Sequence, residues 1–370
     1  MDDGSPRPRR RIATTSGSFL LLLFFCAKRK EDAKIKNKII LTKKRGIDKM
    51  IIVTGGAGFI GSNIVHELNL RGRSDILIVD DLNGGDKFKN LVGLKFIDYQ
   101  HMDDFLRTFT KSGFYGLNID AIFHEGACSD TMNYDVNYMM KVNFDYSKDL
   151  LKFCIEKQVP FIYASSAATY GDGKKGFREV DTCESALNPY AFSKLMFDRF
   201  VRQFIGDAKS KVIGLRYFNV FGPQEQHKGK MASIFYQIYK RSKLGGRIIK
   251  LFKGTDGYAN GEQKRDFIYV KDVAKVNLWC FDDKKIPNGI YNCGTGKATT
   301  FNEAARAMID ALGVGKIEYC DFPPELEGRY QSFTQADTKK LLGAGYKGGF
   351  TQFNNAVREY CRFLDNGGYY

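Results

Sequence analysis

The chain has 370 residues, is 43 % hydrophobic and carries a formal charge of +15, a composition that excludes a chain disordered throughout. The charge is uneven: residues 1–49 hold 14 Lys+Arg against 5 Asp+Glu, a net +9, which leaves +6 for the rest. The mildly basic remainder has no basic stripe interleaved with stacking aromatics, which argues against nucleic acid as a partner. Eight cysteines without a Cys-x-x-Cys pair, beside four histidines that do not cluster with them, argue against both a metal site and a disulfide framework and suit a reducing compartment. The expectation is a cytoplasmic protein with no bound metal.

Residues 1–49 read as a basic, disordered extension. The apolar run Phe19 to Ala27 behind Arg9, Arg10 and Arg11 is too short to span a bilayer, and no small-x-small cleavage site precedes Lys28. No membrane association is expected, and Met50 is an alternative start for the functional protein.

From Met50, Ile51-Ile52-Val53-Thr54 reads as a strand, Gly55-Gly56-Ala57-Gly58-Phe59-Ile60-Gly61 as a glycine turn, and the periodic run through Ile64, Val65 and Leu68 as a helix. Such a turn lets backbone approach a pyrophosphate at a helix N-terminus, although three glycines alone also mark a plain tight turn. A second buried strand, Ile76-Leu77-Ile78-Val79, ends in Asp80-Asp81, placed to bind the ribose hydroxyls of a dinucleotide or to cap a strand end. Lys87 either reaches a 2′-phosphate or stands as a solvated loop charge. A third strand, Ala121-Ile122-Phe123-His124, leads into Glu125-Gly126-Ala127-Cys128-Ser129, whose small residues let backbone pass beside a cofactor, with Asn143 on the helix beyond.

The strand Phe161-Ile162-Tyr163-Ala164 opens into Ser165-Ser166, followed by Asn188-Pro189-Tyr190-Ala191-Phe192-Ser193-Lys194. On a helix Tyr190 and Lys194 share a face. A neighbouring ammonium is expected to lower the Tyr190 pKa so that the phenolate acts as general base, with Ser166 holding the substrate oxygen. Tyr-x-x-x-Lys by itself also describes any half-buried helix face. After a glycine loop and a Ser-Ser strand end it is more specific.

Thr54-Gly55-x-x-Gly58-x-x-Gly61, Ser166 and Tyr190-x-x-x-Lys194 resemble the extended short-chain dehydrogenase/reductase superfamily. Within it, Met50 to Ser62, His124-Glu125-Gly126-Ala127-Cys128-Ser129, Ser165 to Gly171, Arg216 to Pro223, His227-Lys228-Gly229, Lys264-Arg265-Asp266-Phe267 and Gly328-Arg329-Tyr330-Gln331 to Asp337 resemble the ADP-heptose 6-epimerase family. The resemblance implies an α/β fold, a Rossmann-type doubly wound parallel sheet over residues 50–217 plus about 264–292 and 329–343. A smaller discontinuous substrate domain would take about 218–263, 293–328 and 344–370. It implies oxidation and re-reduction of an ADP-bound heptose at C6″ for lipopolysaccharide core synthesis, NADP or NAD held one per subunit, and a homo-oligomer, with a pentamer suggested.

By the same resemblance, Tyr190, Lys228, Ser166 and Lys194 are catalytic. Gly55, Gly58, Phe59, Ile60, Gly61, Asp80, Asp81, Lys87, Glu125, Gly126, Ala127, Cys128, Ser129, Asn143, Tyr190, Lys194 and Val220 hold the cofactor. Ser166, Asn219, Lys228, Phe252, Arg265 and Tyr330 hold the substrate. Read as bare residues, Lys228 is a loop lysine beside Lys230, Arg265 pairs equally well with Asp266, and Tyr330 could be core. The chain departs from the family at Asp81, where Asn is usual, at Met102, where a lysine helps bind cofactor, and in a longer Asp256–Gln263 segment. A 4,6-dehydratase would need an acid after Ser166, where Ala167-Ala168 stand. A UDP-hexose 4-epimerase leaves Lys228 unexplained, and an idle dinucleotide sensor leaves the whole catalytic set unexplained.

Overall fold

The computed structural model describes residues 49–83, 85–112, 118–324 and 330–370; the basic extension and Gly328-Arg329 lie outside them. Runs of β-branched and aliphatic residues form β1 (Met50–Thr54), β2 (Ile76–Asp80), β3 (Asp98–His101), β4 (Ile119–His124), β5 (Phe161–Ser166) and β6 (Val212–Tyr217). Short pieces follow as β7 (Asn219–Phe221), β8 (Ile248–Phe252), β9 (Lys264–Arg265), β10 (Phe267–Tyr269), β11 (Gly289–Cys293), β12 (Thr299–Thr300) and β13 (Lys316–Cys320). β1 and β2 are buried at every position, the signature of strands covered on both faces.

Seven strands form one sheet in the order β11-β6-β5-β4-β1-β2-β3, and every pairing in it is parallel. The chain moves outward from β1 through β2 to β3, then crosses to β4 on the other side. A topological switch point therefore lies between β1 and β4, where the carboxyl ends of an open parallel sheet leave a crevice. In-register pairing brings Thr54 beside His124 and Ser166 beside Tyr217 at that edge.

The helix Phe59–Leu70 turns Ile64, Val65 and Leu68 onto the sheet, joined by Val273, Ala274, Val276 and Leu278 of the helix Val270–Asp282. On the opposite face Phe197 of the helix Pro189–Ile205 meets Phe161 and Tyr163 edge to face, with centroids 6.5 and 4.9 Å apart. A second apolar core gathers Phe221, Phe235, Phe267 and Tyr269 with Ala304, Met308, Val357 and Tyr360. It lies beside the parallel pair β8 and β13.

Candidate active site

A cleft of about 550 Å³ opens over the carboxyl ends of β1, β2, β4 and β5, within the size range of ligand sites. Its floor is main chain. Gly55 adopts φ +68°, and a Cβ there would collide with the backbone of Glu125 and Gly126; a Cβ on Gly61 would strike the Gly55 carbonyl. Gly58 caps the helix Phe59–Leu70 without a side-chain partner, so the amides of the first turn face the cleft. The glycines thus let the loop pack backbone to backbone against the end of β4 and the first helical turn, a side-chain-free cradle at the cleft edge of the kind that would suit a nicotinamide dinucleotide.

Gly55, Gly58, Phe59, Ile60, Gly61, Asp80, Asp81, Lys87 and the run Glu125 to Ser129 all line this cleft, as do Val220, Tyr190 and Lys194. Asp80 is also structural. Its carboxylate accepts the Ala57 amide of the glycine loop at 2.8 Å and the Lys87 ammonium at 2.5 Å, so Lys87 is no free loop charge. Met102, standing where the family places a lysine, lines the same cleft, and His101 lies 3.7 Å from Asp81.

Asn143 is placed differently from the expectation. It is buried and does not line the cleft; its amide exchanges hydrogen bonds with both the N–H and C=O of Cys128, at 2.8 and 3.0 Å, and donates to Ser193 at 3.0 Å. It acts through the loop it holds. Asn143 sits in a π-helical turn, Met140–Asp145, that swells the helix just there, a device common at functional sites and without a period in the sequence.

Two further supports went unread in the sequence. Ser147 donates to the Asn143 carbonyl at 2.6 Å, so His124 Nε2–H donates to Ser147 at 2.7 Å and His124 Nδ1 accepts from Thr54 at 2.6 Å. Burial holds the ring neutral, its pKa pushed down to about 3 with help from Lys194, and the relay locks the end of β4 to the end of β1. The second support is ionic. Asp198, one turn past Lys194, accepts from Tyr163 at 2.9 Å, Ser165 at 2.8 Å and Arg216 at 2.9 Å, while Arg216 also pairs with Glu184. Arg216, Asp198 and Glu184 side chains have no solvent exposure. The Ser-Ser strand end and the spacing of four between Lys194 and Asp198 were the available signals.

Asn188 caps the helix Pro189–Ile205, accepting the Ala191 amide at 2.8 Å with Pro189 in the first turn, which starts the helix one residue before Tyr190. Ser166, Tyr190 and Lys194 meet at the cleft. Lys194 donates to the Ala164 carbonyl at 2.8 Å, and burial lowers its pKa to about 8 against the opposing charges of Glu125 and Asp198. The expected fall in the Tyr190 pKa is not what the structure holds. Burial raises it, with Cys128 and Glu125 adding to the rise, and the Ser166 hydroxyl, which hydrogen-bonds the phenol oxygen, pulls it back. Desolvation is the largest influence on this phenol.

Glu125 is pushed up to about 7 by burial, though Tyr217, which donates at 2.9 Å, and Lys194 oppose the shift; its second oxygen is buried without a partner. Across the cleft Lys228 stands over the Phe59 ring, Nζ 5.4 Å from its centroid, its pKa lowered by burial against the pull of Glu225. Lys228 is therefore partly desolvated at the cleft.

Arg265, Tyr330, Phe252 and Asn219 do not line this cleft. Arg265 is buried between the Phe301 and Tyr330 rings, 5.5 and 4.6 Å from their centroids, and burial depresses its pKa. It does not pair with Asp266, whose oxygens are taken by Thr295, Gly296 and Ala336 at 2.7 to 3.0 Å. Phe252, Phe322 and Tyr330 form an aromatic group with Phe252–Tyr330 centroids 6.4 Å apart. The longer Asp256–Gln263 segment folds onto this group's surroundings, Gly261 N bonding the Phe252 carbonyl at 3.0 Å and Asp256 accepting from Ser332. Asn219 accepts from Thr334 at 2.9 Å, one residue from the cleft-lining Val220. Among the described residues no three His, Cys, Asp or Glu side chains are grouped as metal ligands, and no helix is long and apolar enough to cross a membrane.

Comparison with known proteins places the chain in a family. Residues 51–294 match the NAD dependent epimerase/dehydratase family. The chain is 50 % identical over 311 residues to ADP-L-glycero-D-manno-heptose-6-epimerase of Alkalilimnicola ehrlichii, covering 84 % of this chain and 96 % of that one. The Helicobacter pylori ADP-L-glycero-D-manno-heptose-6-epimerase crystal structure superposes with a TM-score of 0.72 at 31 % identity, over 86 % of this chain and 96 % of that one. UDP-N-acetylglucosamine 4-epimerase of Methanobrevibacter ruminantium reaches the same TM-score of 0.72 at 26 % identity, over 86 % and 99 %. The Rossmann-type fold is therefore shared across these epimerases, and the chain belongs to the NAD dependent epimerase/dehydratase family and, within it, to the ADP-L-glycero-D-manno-heptose-6-epimerases.

Proposed function

We propose that the protein interconverts ADP-D-glycero-β-D-manno-heptose and its L-glycero epimer at C6″, supplying heptose for the lipopolysaccharide inner core. The observation that carries the reading is one cleft lined by the glycine cradle, by Ser166 and Tyr190, and by Lys228. The cradle residues with Asp80, Asp81, Lys87, Glu125 to Ser129, Tyr190, Lys194 and Val220 would hold a nicotinamide dinucleotide, which when bound supplies a reversible two-electron acceptor. NADP is the proposed form, with Lys87 the cation that would meet a 2′-phosphate, and NAD the alternative outcome.

Inversion at one carbon requires hydrogen to leave one face and return to the other, so the side chain bearing the ketone must turn between the two steps. Two proton-transfer groups answer that need. Tyr190 takes or gives the C6″ hydroxyl proton in one orientation, with Ser166 donating to the same oxygen, and Lys228 does so in the other. The half-buried Lys228 has a pKa lowered by desolvation, in the direction that a neutral amine base requires. Lys194 keeps positive charge beneath Tyr190. Arg265, with Phe252, Tyr330 and Asn219, is assigned to the ADP moiety, a planar cation between aromatic faces suiting a diphosphate beside a base. The domain division follows: residues 50–217 with about 264–292 and 329–343 hold the cofactor, and the remaining segments hold the sugar nucleotide. A cytoplasmic homo-oligomer, with one cofactor per subunit, completes the proposal; native mass spectrometry measures its size.

The test is incubation with ADP-D-glycero-β-D-manno-heptose under anaerobic conditions, NMR of the sugar and mass spectrometry of the released cofactor. Appearance of the L-glycero epimer without net cofactor consumption is expected. Conversion of UDP-galactose instead would overturn the heptose assignment.

A further inference from the structure

Residues Gly367–Tyr370 lie against the outer side of the glycine-loop helix. The Tyr370 ring stacks on His66, centroids 3.6 Å apart and planes within 4°, and meets Phe363 at 5.2 Å. Its hydroxyl donates to Asn63 Oδ1 at 2.6 Å. A Cβ on Gly93 would collide with the Tyr370 carbonyl, so the seat is cut to the backbone. Asn63 passes the contact on: its amide donates to the carbonyls of Phe59 at 2.8 Å and Pro223 at 3.0 Å. Gln226 donates to the Gly368 carbonyl from the other side.

These contacts converge on one place. Phe59 is the ring under Lys228, and Gln226 precedes Lys228 by two residues. Apart from that ring and the charge of Glu225, no hydrogen bond or ion pair among the described residues holds the Lys228 ammonium, so its placement depends on the backbone that carries it. Neither Asn63, Gln226 nor Tyr370 lines the cleft, and none is available to touch what binds there.

We infer that Gly367–Tyr370 is a clasp holding the Lys228 turn in register with Phe59, and that Asn63, Gln226 and Tyr370 are positioning residues for the second base. The inference rests on the two-base reading above. A long, unpaired side chain gains reach and loses aim when its turn loosens, and a displacement of about 1 Å at a reacting group costs on the order of 100-fold.

The test compares Tyr370→Phe, Gln226→Ala and a chain stopping at Asn366 with Lys228→Met, each loaded with cofactor. Single-turnover absorbance follows oxidation of the D-glycero and L-glycero substrates separately, because each epimer presents its hydroxyl to a different base. The clasp variants are expected to slow, by about tenfold, the same epimer that Lys228→Met slows, leaving the other within about twofold. An independent readout needs no turnover: competitive acetylation across pH, mapped by mass spectrometry, should show the Lys228 pKa moving up in the clasp variants. Equal slowing of both epimers, or an unmoved Lys228 titration, overturns the clasp. Should Lys228→Met itself slow both epimers equally, the two-base reading falls, and the clasp's assigned role falls with it. The point variants answer the question even if the shortened chain fails to fold.

Discussion

The two walls of the cleft are built from different materials. The Tyr190 wall is a capped helix of 17 residues tied to β5 and β6 by a buried ion network, Asp198 with Arg216 and Arg216 with Glu184. The Lys228 wall is a short 3-10 turn, Gln226–Met231, broken at Gly229 with φ 55° and ψ −117°. A buried carboxylate and neutral amides hold it: Glu225 accepts from the Gly222 amide at 3.2 Å and from the Ser233 amide and hydroxyl at 2.5 and 2.7 Å, and Asn90 donates to the Ala57 and Gln224 carbonyls at 3.0 Å each and lies 3.2 Å from His227. The carbonyl oxygens of the Asn90, Gln224 and Gln226 side chains are buried without partners. Removing one member of a buried ion set leaves an uncompensated charge, whereas each neutral hydrogen bond is worth about 1 kcal/mol. The Tyr190 helix is therefore fixed with the fold, and the Lys228 turn stands on ground that can open locally.

The sharpest way to break this contrast is at the bases themselves. Tyr190→Phe is expected to lower kcat by about 1000-fold, the upper part of the range for a general acid/base group, while cofactor retention, read by mass spectrometry, persists. Asp198→Ala should cost about 3 kcal/mol, because the buried Arg216 keeps only Glu184 of its two carboxylate partners and Tyr163 and Ser165 lose their acceptor; urea unfolding measures it, and a loss under about 1 kcal/mol would mean the network is not what anchors this wall. Lys228→Met is expected to lower kcat by about 100-fold with no change in unfolding midpoint. Asn90→Ala should cost about 1.5 kcal/mol, and amide exchange over residues 223–231 should quicken while that of the Tyr190 helix does not. Uniform quickening of both walls would erase the distinction.

The smallest effect concerns pH. Burial lifts Glu125 to about 7 from an ordinary 4.5, so between those values the folded protein holds a proton that the unfolded chain has released. Its contribution to stability is full below 4.5 and disappears as pH rises through 7. Glu125→Gln should flatten that part of the stability profile and remove any inflection near pH 7 in kcat.

Legibility in the sequence followed the same division. The glycine turn, the buried strands and Tyr190-Ala191-Phe192-Ser193-Lys194 are local patterns with a period or fixed spacing, and all fall where the sequence places them. The resemblance implies that Asn143 holds the cofactor, whereas the structure buries it against Cys128 and Ser193; a π-turn changes which way a residue faces without changing its neighbours in sequence. The Tyr190 pKa was misjudged because sequence shows the cation four residues away but not the packing that desolvates the phenol. Arg265 left two partners open, and only the tertiary structure shows Asp266 spent on Thr295, Gly296 and Ala336. The supports of Lys228 come from residues 63, 90, 224 and 368, which no window along the chain brings together.

The hydrogen bond between Tyr370 and Asn63 joins residues 307 positions apart. Contacts of that separation close late, after the loop entropy between them has been overcome. During synthesis the glycine cradle, β4 and the Tyr190 helix are all available long before Tyr370 emerges. A nascent chain can thus hold its glycine cradle and the Tyr190 helix while the Lys228 turn still lacks its Tyr370 fastening, so the two walls of the cleft would become rigid one after the other rather than together.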